Sequence, residues 1–309
     1  MIDKMRNQRR ANDQQTGFRT TIGASVMLND LNNLRNDDIF VSNEVRSFKD
    51  VTGINSRKGL DNVILSDGKI VNVVSNSYGH LPNQIFFAQV ENMLLEANIS
   101  TATRSINREN RSFAVDHILN DDSLAITVKN GMDELRPMLR FTNSYDGSTR
   151  TSGHFGFYRK ICNNGLHIAH SQIGFNVKHR GEIAEVVMPN IKYLIAKFMN
   201  NEYFELKRKF EILAEKRINN IEEYVKLTCE DLKLFMYESS EKNPAPSLNA
   251  RTVIEIINRE SSLLNTAPNM WHLYNAFNEV IHDKLKKSFQ NQRDTDTKLF
   301  NYTLELAGN

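Results

Sequence analysis

The spacing of hydrophobic positions along this chain changes near residue 182. Upstream it is mostly alternating. "RSFAVDHIL" sets Phe113, Val115 and Leu119 on one face of a strand, and "SLAITVKN" groups Leu124, Ile126 and Val128. "LRPMLRFTNS" sets Leu135, Leu139 and Phe141 opposite Arg136 and Arg140. "HFGFYRKIC" and "IGFNVKHR" add two strands, the second with Ile173, Phe175 and Val177 against Asn176, Lys178 and Arg180. An antiparallel sheet with one covered face accounts for this alternation. Further upstream, "NVILSDGKIVNVVSNSYG" predicts a hairpin turning at Asp67-Gly68. "LPNQIFFAQVENMLLEANI" has helical spacing, with Pro82 where a helix start tolerates it.

From Glu182 onward the period is helical. "EIAEVVMPNIKYLIAKFM" carries a broad apolar stripe from Ile183 to Phe198, with Pro189 as a kink or break. "EYFELKRKFEILAEKRI", "NIEEYVKLTCEDLKLFMY", "RTVIEIINRESSLL" and "NMWHLYNAFNEVIHDKLKKSF" predict further amphipathic helices. Grouped strands followed by grouped helices predict an α+β fold: an antiparallel sheet with flanking helices, then a mostly helical C-terminal half. The expected divisions are a largely flexible N-terminal arm over 1–60, an α+β core over 61–200 and a helical extension over 201–240. A linker over 241–250, within "SSEKNPAPSLNA", leads to C-terminal helices over 251–309.

Composition narrows the picture. Of 309 residues, 40% are hydrophobic and 25% charged, which suits a globular chain. No run of eighteen apolar residues predicts a membrane span, and the polar N-terminus lacks the apolar stretch of a signal peptide. Cys162 and Cys229 are the only cysteines, which predicts a reducing, cytoplasmic setting. The net charge of +2 implies no partner by itself, but from Thr101 to Arg180 eleven Lys/Arg face seven Asp/Glu.

No phosphate-binding glycine loop, metalloprotease or nucleophile-elbow motif occurs, and no cofactor is expected. Cys162, His167 and His170 read as a buried thiol and two sheet-surface histidines rather than as metal ligands, because positions 167 and 170 point to opposite strand faces. Cys162 beside Arg159 and Lys160 has the electropositive setting of a nucleophile, though most lone cysteines are simply buried. Asp116, Asp133, Glu134 and Asp146 are candidate ligands for a divalent metal, but no spacing makes them converge, and Asp146-Gly147 reads as a turn. The remaining group is basic and aromatic: Arg136, Arg140, Arg150, Tyr158, Arg159, Lys160, Lys178 and Arg180. Cations for phosphates and a ring for base stacking are what single-stranded nucleic acid requires. Arg159 falls on the face of Phe155, Phe157 and Ile161, where a guanidinium must be paired or must reach a site.

"FTNSYDGSTR" followed by "FYRKICNNGLHIAH" resembles the phage/plasmid-like family grouped as domain of unknown function 932. The matching positions are Asn143, Ser144, Asp146, Gly147 and Ser148, then Arg159, Cys162, Asn164, Gly165 and Leu166. A second match is "MWHLYNAFNEVIH", through Trp271, Asn275, Ala276 and Glu279. The resemblance covers roughly residues 60–285. It implies a mobile-element, DNA-metabolism context, and the element order is similar to the core of single-strand annealing recombinases. The resulting expectation is a non-catalytic protein that binds single-stranded DNA, assists annealing in recombination and forms rings or filaments of its own copies. Asn143, Asp146 and Asn164 would fix the turns that aim the cations. The alternatives are a metal-dependent nuclease using Asp116, Glu134 and Asp146, and an interaction protein such as an anti-defence or virion-associated factor. The surface of the latter would be the C-terminal helices around Trp271, His272, Tyr274 and Phe277. Trp271, Tyr274 and Phe277 also fit a core stripe, the preferred reading.

Overall fold

The computed structural model describes residues 20–21, 42–57, 59–99, 101–109, 111–119, 121–128, 133–159, 165–166, 174–200, 204–240, 243–283, 285 and 289–308. The elements begin with β1 (Thr20–Thr21), β2 (Asn43–Ser47), α1 (Phe48–Thr52), β3 (Asn62–Ser66), β4 (Lys69–Val74) and α2 (Asn83–Glu96). Then come β5 (Thr101–Glu109), β6 (Ser112–Leu119), β7 (Ile126–Val128), β8 (Asp133–Ser144), β9 (Thr151–Arg159), β10 (Gly165–Leu166) and β11 (Gly174–Val177). The remainder is α3 (Ile183–Met199), α4 (Phe204–Glu215), α5 (Ile221–Leu232), β12 (Glu238–Ser240), β13 (Asn243–Pro246), α6 (Leu248–Leu263), α7 (Met270–Asp283) and α8 (Phe289–Leu306). The fold is α+β with antiparallel sheets, and no helix among the described residues is long and apolar enough to cross a membrane.

Two compact units share the chain. The first comprises Met1–Asp121, Met138–His154 and Ile173–Lys197. Within it β2, β3 and β4 form an antiparallel sheet. The β3–β4 turn has positive φ at both Asp67 (51°) and Gly68 (72°), the left-handed pair that the strand twist of a two-residue hairpin favours. β2 and α1 lie in the segment read from sequence as a flexible arm. "NEVRS" is too short and polar to stand out, yet its backbone pairs fully with β3. The short helix suggested by "LNDLNNLRNDD" lies outside the described residues.

The larger sheet of this unit pairs β5 with β6, residues 112–118 of β6 with residues 138–144 of β8, and residues 151–154 of β9 with β11. One face holds Phe113, Val115, His117, Leu139 and Phe141, and Phe86 of α2 packs edge-on to Phe141 with ring centroids 6.4 Å apart. The opposite face corrects the expectation of a single covered side. All eight residues of β6 are buried, so polar positions there need partners. Asp116 finds Arg140, opposite it in register, and the Ser112 hydroxyl meets that of Thr149 in the β8–β9 turn. α3 runs unbroken through Pro189, which is exposed, rather than breaking there.

The second unit comprises Asp122–Pro137, Phe155–Gln172 and Phe198–Asn309. Here β7 pairs with residues 133–135 of β8, and β10 with residues 157–158 of β9. Its core is aromatic: Phe210 of α4 lies 5.1 Å from both Phe157 and Trp271 and 5.7 Å from Phe300, between ring centroids. Trp271, Tyr274 and Phe277 are buried, the stripe that their helical spacing predicted. The expected linker is instead largely the β12–β13 hairpin and the start of α6. Ser247 caps α6 by accepting from the Ala250 amide at 3.3 Å, a local signal inside an apparently loop-like stretch.

Gly153 shows how closely the first unit is packed. A Cβ there would lie 2.4 Å from Phe175 Cε1 and 2.9 Å from Phe141 Cε1. Gly153→Ala is expected to destabilise the protein by about 1–3 kcal/mol through overpacking. Urea unfolding should show a lower midpoint with an unchanged slope.

Candidate functional site

The buried guanidinium that the alternation of β9 singled out is held by acids. Arg159 is fully buried. Its Nε donates to Asp133 Oδ2 at 2.7 Å and its Nη1 to Glu260 Oε1 at 2.6 Å. Trp271 Nε1 donates to the same Asp133 oxygen at 2.7 Å, and its ring lies 5.8 Å from the guanidinium carbon. Arg159 therefore leaves the set of phosphate ligands, since a group closed from water and occupied by two carboxylates does not reach a solvated strand. Burial raises the Glu260 carboxyl above its ordinary range, with Arg159 opposing and the Asp133 charge adding to the rise.

Three other sequence candidates are also occupied or lie elsewhere. Arg140 is 7% exposed and donates from Nη2 to Asp116 Oδ2 at 2.6 Å, so it too leaves the phosphate set. Arg136 bridges Glu134 and Asp122 at 2.8 Å each, with its side chain 18% exposed. Tyr158 is half-buried and paired in register with Gly165. Arg136, Tyr158 and Arg159 belong to the second unit, and Arg150, Lys178 and Arg180 to the first. Lys160, Cys162 and Asn164 lie outside the described residues, as do His167 and His170.

The remaining described cations, Arg150, Lys178 and Arg180, lie just beyond one end of the β9–β11 ladder. The register ends with Val177 opposite Thr151, so the next positions outward are Lys178 and Arg150. Both are exposed, as is Arg180, while His179 between them turns inward. His179 stacks on Tyr78, with centroids 5.5 Å apart and planes 9° from parallel. Its Nδ1 lies 3.2 Å from the Gly79 carbonyl and its Nε2 3.3 Å from Thr151 Oγ1. Two glycines permit this closeness. A Cβ on Gly147 would lie 2.6 Å from the Tyr78 ring, and one on Gly79 would lie 2.4 Å from the Gly181 carbonyl. The Gly181 amide closes the clamp by donating to Ser77 O at 2.9 Å.

The turn residues support this edge. Asp146 Oδ1 accepts from the Ser148 amide at 3.0 Å, and Gly147 takes φ of 73°. Ser144 Oγ donates to Thr149 O at 3.0 Å. Asn143, fully buried, donates from Nδ2 to Leu81 O at 3.0 Å and to Asn83 Oδ1 at 2.9 Å, and accepts from Thr151 Oγ1 at 2.7 Å. Burial and the Asp146 charge push the Tyr78 phenol upward, and burial lowers both His80 and His179. Sequence reasoning missed Tyr78 and His179. The only available signals were "NSYGH" beside a strand end and a histidine between two cations. In the second unit, Asn275 donates to Trp271 O at 2.7 Å.

The acids proposed for metal-dependent cleavage are not grouped. Asp116 is held by Arg140, Glu134 by Arg136, and Asp146 lies 3.7 Å from Arg111. Among the described residues no three His, Cys, Asp or Glu side chains could hold a metal together. Burial pushes the Cys229 thiol up to about 12, which makes it a poor nucleophile near neutrality.

The family model described as Domain of unknown function (DUF932) matches residues 70–302, and the chain belongs to that family. No curated protein and no solved structure matches it.

Removing the central cation strands two buried carboxylates. Arg159→Met is expected to cost about 3–5 kcal/mol in chemical unfolding. Folding raises the proton affinity of Glu260. Its stabilisation is therefore complete below the ordinary carboxylate value and declines as pH rises through the folded one. Unfolding free energies measured from pH 4 upward should lose this decline in Glu260→Gln.

Proposed function

We propose that this member of the DUF932 family binds single-stranded polynucleotide, DNA first, along the edge formed by Arg150, Lys178 and Arg180. It would assist annealing in mobile-element recombination without chemistry of its own. The observation that carries the reading is the position of three exposed cations just past the end of one strand pair, beside a braced Tyr78–His179 stack. Cations held just beyond a paired strand end match a phosphate backbone better than cations on long mobile loops, because less chain order is lost on binding. The edge contains backbone-binding groups and no base-reading constellation, which favours binding with little sequence preference. An annealing role calls for several copies acting along one strand, so the reading includes self-assembly on DNA in the host cytoplasm.

Fluorescence anisotropy with labelled oligo-dT tests it. Affinity should fall steeply between about 50 and 200 mM salt. Replacing Arg150, Lys178 and Arg180 together by Ala should reduce the logarithmic salt slope by about 2, since each phosphate contact on a single strand contributes roughly 0.7. Absence of binding at low salt, or an unchanged slope in the triple variant, removes the reading.

A further inference from the structure

The hydrogen-bond inventory around His179 carries one step more, and it rests on the proposed function. Asn143 Nδ2 faces the Leu81 carbonyl, which can only accept, so the amide orientation is fixed and Oδ1 faces Thr151. The single hydroxyl proton of Thr151 is therefore given to Asn143. Towards His179 Nε2, Thr151 Oγ1 is left only as an acceptor. On the other side, Nδ1 faces the carbonyl of Gly79, again an acceptor. A neutral imidazole has one N–H and fills one of these two contacts; an imidazolium fills both.

We propose that His179 is a proton-responsive positioning residue: proton uptake completes both hydrogen bonds, fixes Lys178 and Arg180 beside Arg150, and adds a positive charge behind them, so that polynucleotide binds more tightly in mildly acidic solution. Each element around the ring contributes to the balance. From the loop before α2, Tyr78 presents its π face, which favours the cation, while His80 repels it. From the β8–β9 turn, Asp146 attracts it and the Thr149 carbonyl accepts from it. Lys178 and Arg180 flank it in the chain and Arg150 lies across the ladder; all three oppose a further cation until a polyanion is bound. Burial is the largest opposing influence and lowers the proton affinity of the ring in the free protein. Bound phosphates reverse that opposition. By linkage, binding must raise the proton affinity of His179 by the same factor as protonation raises the affinity for the strand.

The full-length protein and labelled oligo-dT, at fixed salt from pH 8 to pH 5.5, provide the test. Wild-type affinity is expected to rise roughly fivefold over that range. His179→Phe, which keeps a ring on Tyr78 but cannot titrate, is expected to lose the dependence. A flat wild-type profile, or an equal rise in His179→Phe, overturns the proposal. Should that variant fail to fold, NMR titration of the wild-type imidazole replaces it: the midpoint must move upward when oligo-dT is added, and an unmoved midpoint overturns the proposal. Absence of binding at every pH sinks both this inference and the proposed function. Binding without pH dependence sinks this inference alone.

Discussion

Strand segments buried on both faces must neutralise their own charge, and that constraint governs which residues of this protein are left to act. β6 is buried along its whole length, so Asp116 and Arg140, opposite each other in register, form a closed pair. At the end of β9 the same constraint draws Asp133, Glu260 and Trp271 around Arg159. A guanidinium without such partners would be prohibitive to bury. Once these pairs are formed, the basic residues in and beside the strands fall into two groups: those that hold the fold and those that meet solvent. In the first unit only the second group can meet a ligand, and Arg150, Lys178 and Arg180 belong to it.

The motif residues act mainly as braces. Asp146 and Gly147 make a turn whose glycine leaves room for Tyr78. Asn143 ties β8 to the loop before α2, and through Thr151 it determines what His179 can receive. In the second unit Trp271 reaches Asp133, Asn275 donates to the Trp271 carbonyl, and Arg259 pairs with Glu279 at 2.8 Å.

Much of the architecture was legible in the residues. Alternation in "RSFAVDHIL" and "LRPMLRFTNS" located β6 and β8, Asp67-Gly68 located a hairpin, and the spacing of Trp271, Tyr274 and Phe277 located a core stripe. These signals are local: side-chain period and turn conformation depend on neighbours within a few positions. β2 was not legible, because five mostly polar residues acquire strand structure only from the partner they pair with. The β12–β13 hairpin was hidden for a related reason, since its prolines and serines read as linker.

The sequence by itself determined the α+β order of elements, the turn at Asp146-Gly147 and the prediction that Arg159 must be paired or functional. Only the tertiary structure decided between those two fates, because Glu260 lies 101 positions away in the chain and periodicity carries no information across that distance. It alone also stacked Tyr78 on His179. Such contacts depend on backbone closeness at Gly79 and Gly147, which becomes apparent only when distant segments are packed together.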